Sequence, residues 1–117
     1  MGIVLVNKPL TKGDIETARK DYPNYIKITI DIKKEIVFIG GEYHFDSEQK
    51  LMEEFGSKQI DIWGGGFRIK TKEFETNALI NMRPFHENRS AELLDPKIRE
   101  RFLQIVKQKL DNIESLV

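Results

Sequence analysis

Apolar and polar positions along the chain fall into short blocks with two periods. Residues 26–32 alternate, with Ile26, Ile28, Ile30 and Ile32 on one side and Lys27, Thr29 and Asp31 on the other. A period of two built on β-branched residues predicts a strand with one face on the core and one in water. Lys33-Lys34 reads as a tight connection to a second strand, Glu35 to Ile39, whose continuous apolar run predicts burial on both faces. Upstream, Ile3-Val4-Leu5-Val6 is a short β-type run closed by Asn7-Lys8-Pro9. Thr11 and Asp14 stand at capping-box spacing, and Leu10 and Ile15 at the positions of a hydrophobic staple. Ile15, Ala18 and Tyr22 then continue a helical stripe that Pro23 stops.

After Gly40-Gly41, the segment Glu42 to Asp46 reads as extended, with Asp46 as an N-cap and Gln49 completing its box. Leu51, Met52 and Phe55 share one helical face, and Gly56 is the expected C′ stop. Lys58 to Lys72 carries two strand-like pieces around Gly64-Gly65-Gly66, where the glycines predict a tight turn or a bulge. A last strand is predicted near Asn77 to Arg83, with Ala78, Ile80 and Met82 facing in, followed by a polar loop over 85–94. Asp95 as cap, Pro96 at N1 and the stripe Ile98, Phe102, Ile105, Val106, Leu110, Ile113, Val117 predict one unbroken C-terminal helix, about 32 Å long. The expected fold is α+β: a mostly antiparallel sheet of about five strands with a long C-terminal helix and one or two shorter helices. The opening strand–helix–strand unit is expected to add one parallel pair through a right-handed crossover.

Composition narrows the class. The chain has 117 residues, 19 basic and 19 acidic side chains, and no cysteine. That length suits a single globular domain over 1–117 and hides roughly two-thirds of the unfolded surface, enough for a core without staples. A neutral chain with its charge evenly spread gives no strong nucleic-acid signal, because duplex binding works mainly through phosphate neutralisation. No apolar run approaches the roughly 20 residues of a membrane span. Nor is there a secretory signal, and Val6 stands where a myristoylation start needs Ser or Thr. Without cysteine there are no disulfides or thiolate metal sites. The expectation is a small, soluble, cytoplasmic protein.

Three constellations could carry chemistry. On an extended strand Glu42 and His44 would share a face about 6.6 Å apart, and a carboxylate beside an imidazole is the usual arrangement for acid–base work. The competing reading is a hydrogen-bonded pair at a sheet edge. His86 is the only other histidine, so no histidine-rich metal site is expected. Arg83, with Asn88, Arg89 and Ser90 in the following loop, could hold a carboxylate or phosphate by bidentate bonds. Alternatively, Arg83 pairs with an acid such as Glu42, and Asn88 and Ser90 shape a turn. Trp63 before the three glycines is either a core residue or a stacking platform. The glycines match neither a dinucleotide fingerprint nor a Walker loop.

The motifs Gly40-Gly41-Glu42-x-His44, Gly56-Ser57-Lys58-Gln59-x-Asp61-x-Trp63-Gly64, Ile80-Asn81-x-Arg83-Pro84, Asn88-Arg89-Ser90 and Asp95-Pro96-x-Ile98-Arg99-Glu100 occur together. In that combination the chain resembles a family of short archaeal and bacterial proteins grouped as a domain of unknown function, over about residues 26 to 110. The resemblance implies that Glu42, His44, Gln59, Trp63, Arg83, Asn88 and Arg89 belong to one unit. Phe85-His86-Glu87 departs from the family's smaller, more polar pattern there, which argues against His86 as a shared ligand or catalyst. Two function classes follow. In the first, Glu42 and His44 are the candidate catalytic pair, and Gln59, Trp63, Arg83, Asn88, Arg89 and Ser90 bind a small anionic metabolite or nucleotide. Turnover and any cofactor stay open. In the second, the same residues build the interior of an interaction or structural module, a homodimer without catalytic activity.

Overall fold

The computed structural model describes residues 2–77 and 96–117. In chain order the elements are β1 (Ile3–Leu5), α1 (Lys12–Ala18), β2 (Tyr25–Asp31), β3 (Ile36–Gly40), α2 (His44–Phe55), β4 (Ile62–Arg68), β5 (Glu73–Asn77), α3 (Pro96–Lys109) and α4 (Ile113–Leu116). A single 3-10 turn, Gln59–Asp61, leads into β4. The strands form one sheet in the order β1-β3-β2-β4-β5, every pair antiparallel. The α+β class and the five-stranded sheet agree with the sequence pattern. The parallel pair does not form, because the short β2–β3 connection seats β3 beside β2 and β1 then takes the other edge of β3.

Each sheet face has its own core. One packs Ile26, Ile28, Ile30, Val37, Ile39, Trp63 and Phe67 against α1, α3 and α4. The other packs Phe38 and Ile62 against Leu51 of α2, with Ile3, Leu5, Ile36 and Phe55 at its margin. This second layer overturns the expected wet face of β2: Thr29 is 1% and Asp31 0% exposed. Leu51 is buried as its stripe predicts, but Met52 points out and is 40% exposed. The inward side of α2 carries His44, Ser47 and Glu48 instead.

Local signals explain most element ends. Thr11 and Asp14 make the reciprocal capping box, and Leu10 and Ile15 are both buried. α1 ends at Ala18, short of Tyr22, where the Arg19 guanidinium donates to the Pro23 carbonyl. Both four-residue hairpin loops close without glycine. Asp31 Oδ1 accepts from the Lys33 and Lys34 amides, and Glu35 and Lys72, each last in its loop, take φ of 58°. Gly56 ends α2 in the left-handed conformation. The C-terminal stripe is broken between Lys109 and Ile113. There the chain tightens to an Ile113-to-Leu110 bond, keeping Leu110 and Ile113 in the core, and Asn112 donates to the Leu10 carbonyl.

The three glycines are neither a turn nor a bulge. They sit in mid-strand, in unbroken register, with Gly64 opposite Thr29, Gly65 opposite Ile28 and Gly66 opposite Lys27. A Cβ on Gly64 would lie 3.0 Å from the His44 ring, on Gly65 2.7 Å from Phe102 Cζ, and on Gly66 2.0 Å from the Tyr25 hydroxyl. Rings occupy the space that side chains would take. The predicted strand over 78–83, the loop over 85–94 and the Asp95 cap lie outside the described residues.

Gly65→Ala would also place a Cβ 2.3 Å from the Glu75 carbonyl oxygen, which belongs to backbone and cannot swing away. The expected cost is about 2–3 kcal/mol. Gly13, in α1, meets only Thr11 Oγ1 at 3.7 Å, so Gly13→Ala is expected to gain about 0.5–1 kcal/mol. Urea unfolding of the two variants should move the midpoint in opposite directions from wild type.

Candidate functional site

Gly40 and Gly41 have φ of +88° and +90°. They turn the chain as soon as β3 ends, and α2 starts at His44 with Tyr43 as its extended N-cap. The straight strand that would align Glu42 with His44 is therefore absent, and Asp46 lies in the first helical turn instead of capping it. Glu42 is exposed. Its carboxylate lies beside the Tyr43 hydroxyl and, by charge and then by hydrogen bonding, raises the pKa of that phenol. The His44 ring turns the other way, onto the sheet.

His44 is 7% exposed. Its Nδ1 is 3.0 Å from Thr29 Oγ1 on β2, and its ring lies over Gly64 on β4. Burial, reinforced by the Lys27 charge, lowers its pKa from 6.5 to about 4. His44 is therefore neutral at pH 7, and among the described residues its Nε2 has no partner. Lys27 stands on the same face of β2. Its ammonium is 5.2 Å from the centroid of the Tyr22 ring and 5.6 Å from that of Tyr25. No carboxylate among the described residues pairs with it.

The surroundings are tied together. Tyr22 donates its hydroxyl to the Glu42 carbonyl, linking the loop after α1 to the approach to α2. Tyr25 donates to Glu75 at 2.7 Å, and Glu75 also pairs with Arg68 at 2.7 Å. Burial and then the Glu75 bond push the Tyr25 phenol above its usual pKa, so it remains a donor. A contiguous polar patch thus runs from Tyr43 through Glu42, Tyr22, Lys27 and Tyr25 to Glu75, with His44 on its floor.

The other candidates divide. Gln59 donates to Glu48 of α2 at 2.8 Å and fastens the 3-10 turn to the helix. Trp63 faces the opposite side of the sheet, 5% exposed in the core under α1 and α3, with no partner for its Nε1 among the described residues. It cannot share a ligand with His44 across the sheet. Arg83, His86, Asn88, Arg89 and Ser90 lie outside the described residues. Lys27, Thr29, Tyr22, Tyr25 and Glu75 were missed in the sequence. Lys27 and Thr29 had as their only signal the polar side of the alternating strand, which reads as solvated, and Tyr22, Tyr25 and Glu75 had none that pointed to a site. Among the described residues no group of three or more His, Asp or Glu could hold a metal ion, and no helix is long and apolar enough to cross a membrane.

The low pKa of His44 makes stability depend on pH. Its unfolded value is about 6.5 and its folded value about 4, so between them the unfolded chain binds more protons. The contribution is whole above pH 6.5 and is lost as the pH falls toward 4, by up to roughly 3 kcal/mol. Urea unfolding at pH 7 and pH 4.5 should show this loss in wild type and a clearly smaller one in His44→Asn. Equal losses in the two proteins would contradict a buried neutral His44.

No curated protein and no solved structure matches the chain. A family model does, over residues 4–109, and that span takes in the patch around His44 and Lys27 together with the glycine strand. The chain belongs to the family described as protein of unknown function, DUF5674.

Proposed function

We propose that this protein is a binding domain for a small anionic ligand, held at the patch between the start of α2 and strands β2 and β4, without turnover. The observation that carries the reading is Lys27: a half-buried residue whose ammonium lies 5.2 and 5.6 Å from two tyrosine ring centroids and has no carboxylate partner among the described residues. Most buried or half-buried charges are neutralised by a partner from the same chain. Here the nearest groups are the rings of Tyr22 and Tyr25, the protonated Tyr25 phenol and the neutral His44, while the two carboxylates of the patch are engaged elsewhere, Glu75 by Tyr25 and Arg68 and Glu42 beside Tyr43. An anion that reaches Lys27 gains a charge-assisted bond in a site partly shielded from water.

Catalysis by Glu42 and His44 acting together is disfavoured by their opposite orientations. The carboxylate is beside Tyr43 and the imidazole on Thr29, and no hydrogen bond joins the two side chains. Glu42 instead supports the patch through its backbone carbonyl, which accepts from Tyr22.

A self-associating module is the second reading. It is favoured by Phe45 and Met52, seven residues apart on the outer side of α2 and 61% and 40% exposed. Sedimentation equilibrium decides it: concentration-dependent dimerisation that Phe45→Ser abolishes supports it, and a monomer at millimolar concentration removes it.

The ligand-binding reading is tested by thermal shift against inorganic phosphate, pyrophosphate, nucleoside phosphates and small carboxylates. A ligand at ten times its dissociation constant should raise the melting temperature by roughly 5 °C, because it binds only the native state. Lys27→Gln should remove that rise. A melting temperature unmoved by every anion in the set overturns the reading.

A further inference from the structure

We infer that Thr29 fixes His44 in the neutral tautomer with its proton on Nε2, so that the histidine offers the patch a hydrogen-bond donor and not a base. What that donor meets rests on the anion-binding reading above; the tautomer itself does not.

The argument is one of hydrogen-bond satisfaction. Thr29 lies in the middle of β2, 1% exposed, and its hydroxyl has no partner among the described residues except His44 Nδ1 at 3.0 Å. The pair can share one proton in two ways. If Nδ1–H donated to Oγ1, the hydroxyl proton of Thr29 would be buried without an acceptor. If the hydroxyl donates to an unprotonated Nδ1, the buried hydroxyl proton is used, and the proton then on Nε2 sits at an atom that is not sealed from solvent. An orphaned buried donor is the costlier defect, because a hydroxyl oxygen tolerates unfilled lone pairs better than a proton tolerates having no acceptor. Gly64 lies directly under the ring, and a Cβ there would already be 3.0 Å from both Cε1 and Nδ1.

Lys27 does not oppose this tautomer. An ammonium bonded to Nε2 would demand a lone pair there, but its contacts are with the Tyr22 and Tyr25 rings, and no hydrogen bond joins it to the imidazole. With the proton on Nε2, the patch holds the His44 Nε2–H and the Lys27 ammonium, whose charge is close enough to act on the imidazole. These are two donors, one neutral and one charged, and neither has a hydrogen-bond acceptor among the described residues. That pairing fits an oxyanion with two acceptor oxygens, a carboxylate or a phosphoryl group. It also leaves His44 unsuited to general-base work: the Nδ1 lone pair is taken by Thr29 and Nε2 has none to give.

Long-range proton–nitrogen correlation NMR on the 15N-labelled full-length protein at pH 7 tests the assignment directly. The His86→Gln variant identifies the His44 signals by leaving them alone in the spectrum. A protonated-type shift at Nε2 with an acceptor-type shift at Nδ1 is expected, and the reverse pattern overturns the proposal. Thr29→Ser should preserve the pattern, whereas Thr29→Val should shift the two nitrogens toward a mixture. A Thr29→Val protein that folds with the wild-type pattern removes Thr29 from the account. If Thr29→Val does not fold, the wild-type and Thr29→Ser spectra still decide it, because loss of the pattern in Ser overturns the proposal. Titration with inorganic phosphate and, separately, with acetate should move the His44 Nε2 signal. A correct tautomer whose signals neither anion moves overturns the anion-binding reading and leaves the role of Thr29 standing.

Discussion

Two layers packed on opposite faces of a sheet can approach it only as closely as the Cβ atoms of the strands between them allow. In β4 that limit is lifted for three consecutive residues. The imidazole of His44 and the phenol of Tyr25 rest on Gly64 and Gly66 from one side, and the Phe102 ring rests on Gly65 from the other. The strand keeps full pairing with β2 and β5 while giving up its own side chains. Glycine is normally a weak strand former because it has no side chain to pack and loses much entropy on ordering. Here neighbouring rings replace the missing packing, and the strand becomes the surface on which both layers are positioned.

The chemistry of the patch follows from that close approach. A ring pressed onto a glycine backbone is shielded from water, and shielding disfavours charge, so His44 is neutral across the ordinary pH range. Its Nδ1 is brought to the hydroxyl of Thr29 on the adjacent strand. Lys27, two residues away on the same face, keeps its charge and adds to the depression of the His44 pKa. One glycine thus sets the depth of the histidine, and one threonine takes up its buried nitrogen. The cation that remains is held by aromatic faces instead of by an acid.

Signals confined to a few neighbouring residues were legible. The Thr11–Asp14 box, the stop at Gly56 and the alternation of residues 26–32 each have a local cause and appear where the pattern puts them. The readings that failed depended on what covers a surface. The polar side of β2 looks wet because Lys, Thr and Asp are there, yet α2 lies over it and leaves Thr29 and Asp31 buried. Glu42 and His44 look paired because their spacing suits a strand, yet two left-handed glycines end the strand before them. Three glycines look like a turn because most such runs are; only the rings pressing from both sides make a straight strand the better solution. The C-terminal stripe marked the buried residues correctly but not the interruption after Lys109, which the Asn112 bond to the Leu10 carbonyl accompanies.

The sequence by itself determined the class of fold, the hairpin of β2 and β3 and the core stripes of β2 and the C-terminal helix. These follow from periodicity and from caps and turns a few residues long, whose energetics are local. Tertiary structure decided which strand lies beside which, which polar residues are buried and which groups share a site. Strand order, the second layer of α2 and the meeting of His44 with Thr29 and Gly64 depend on contacts between residues 15 or more positions apart, and no local preference encodes such a contact. The site is a product of the stacking of layers, and the chain spells out the layers without spelling out how they stack.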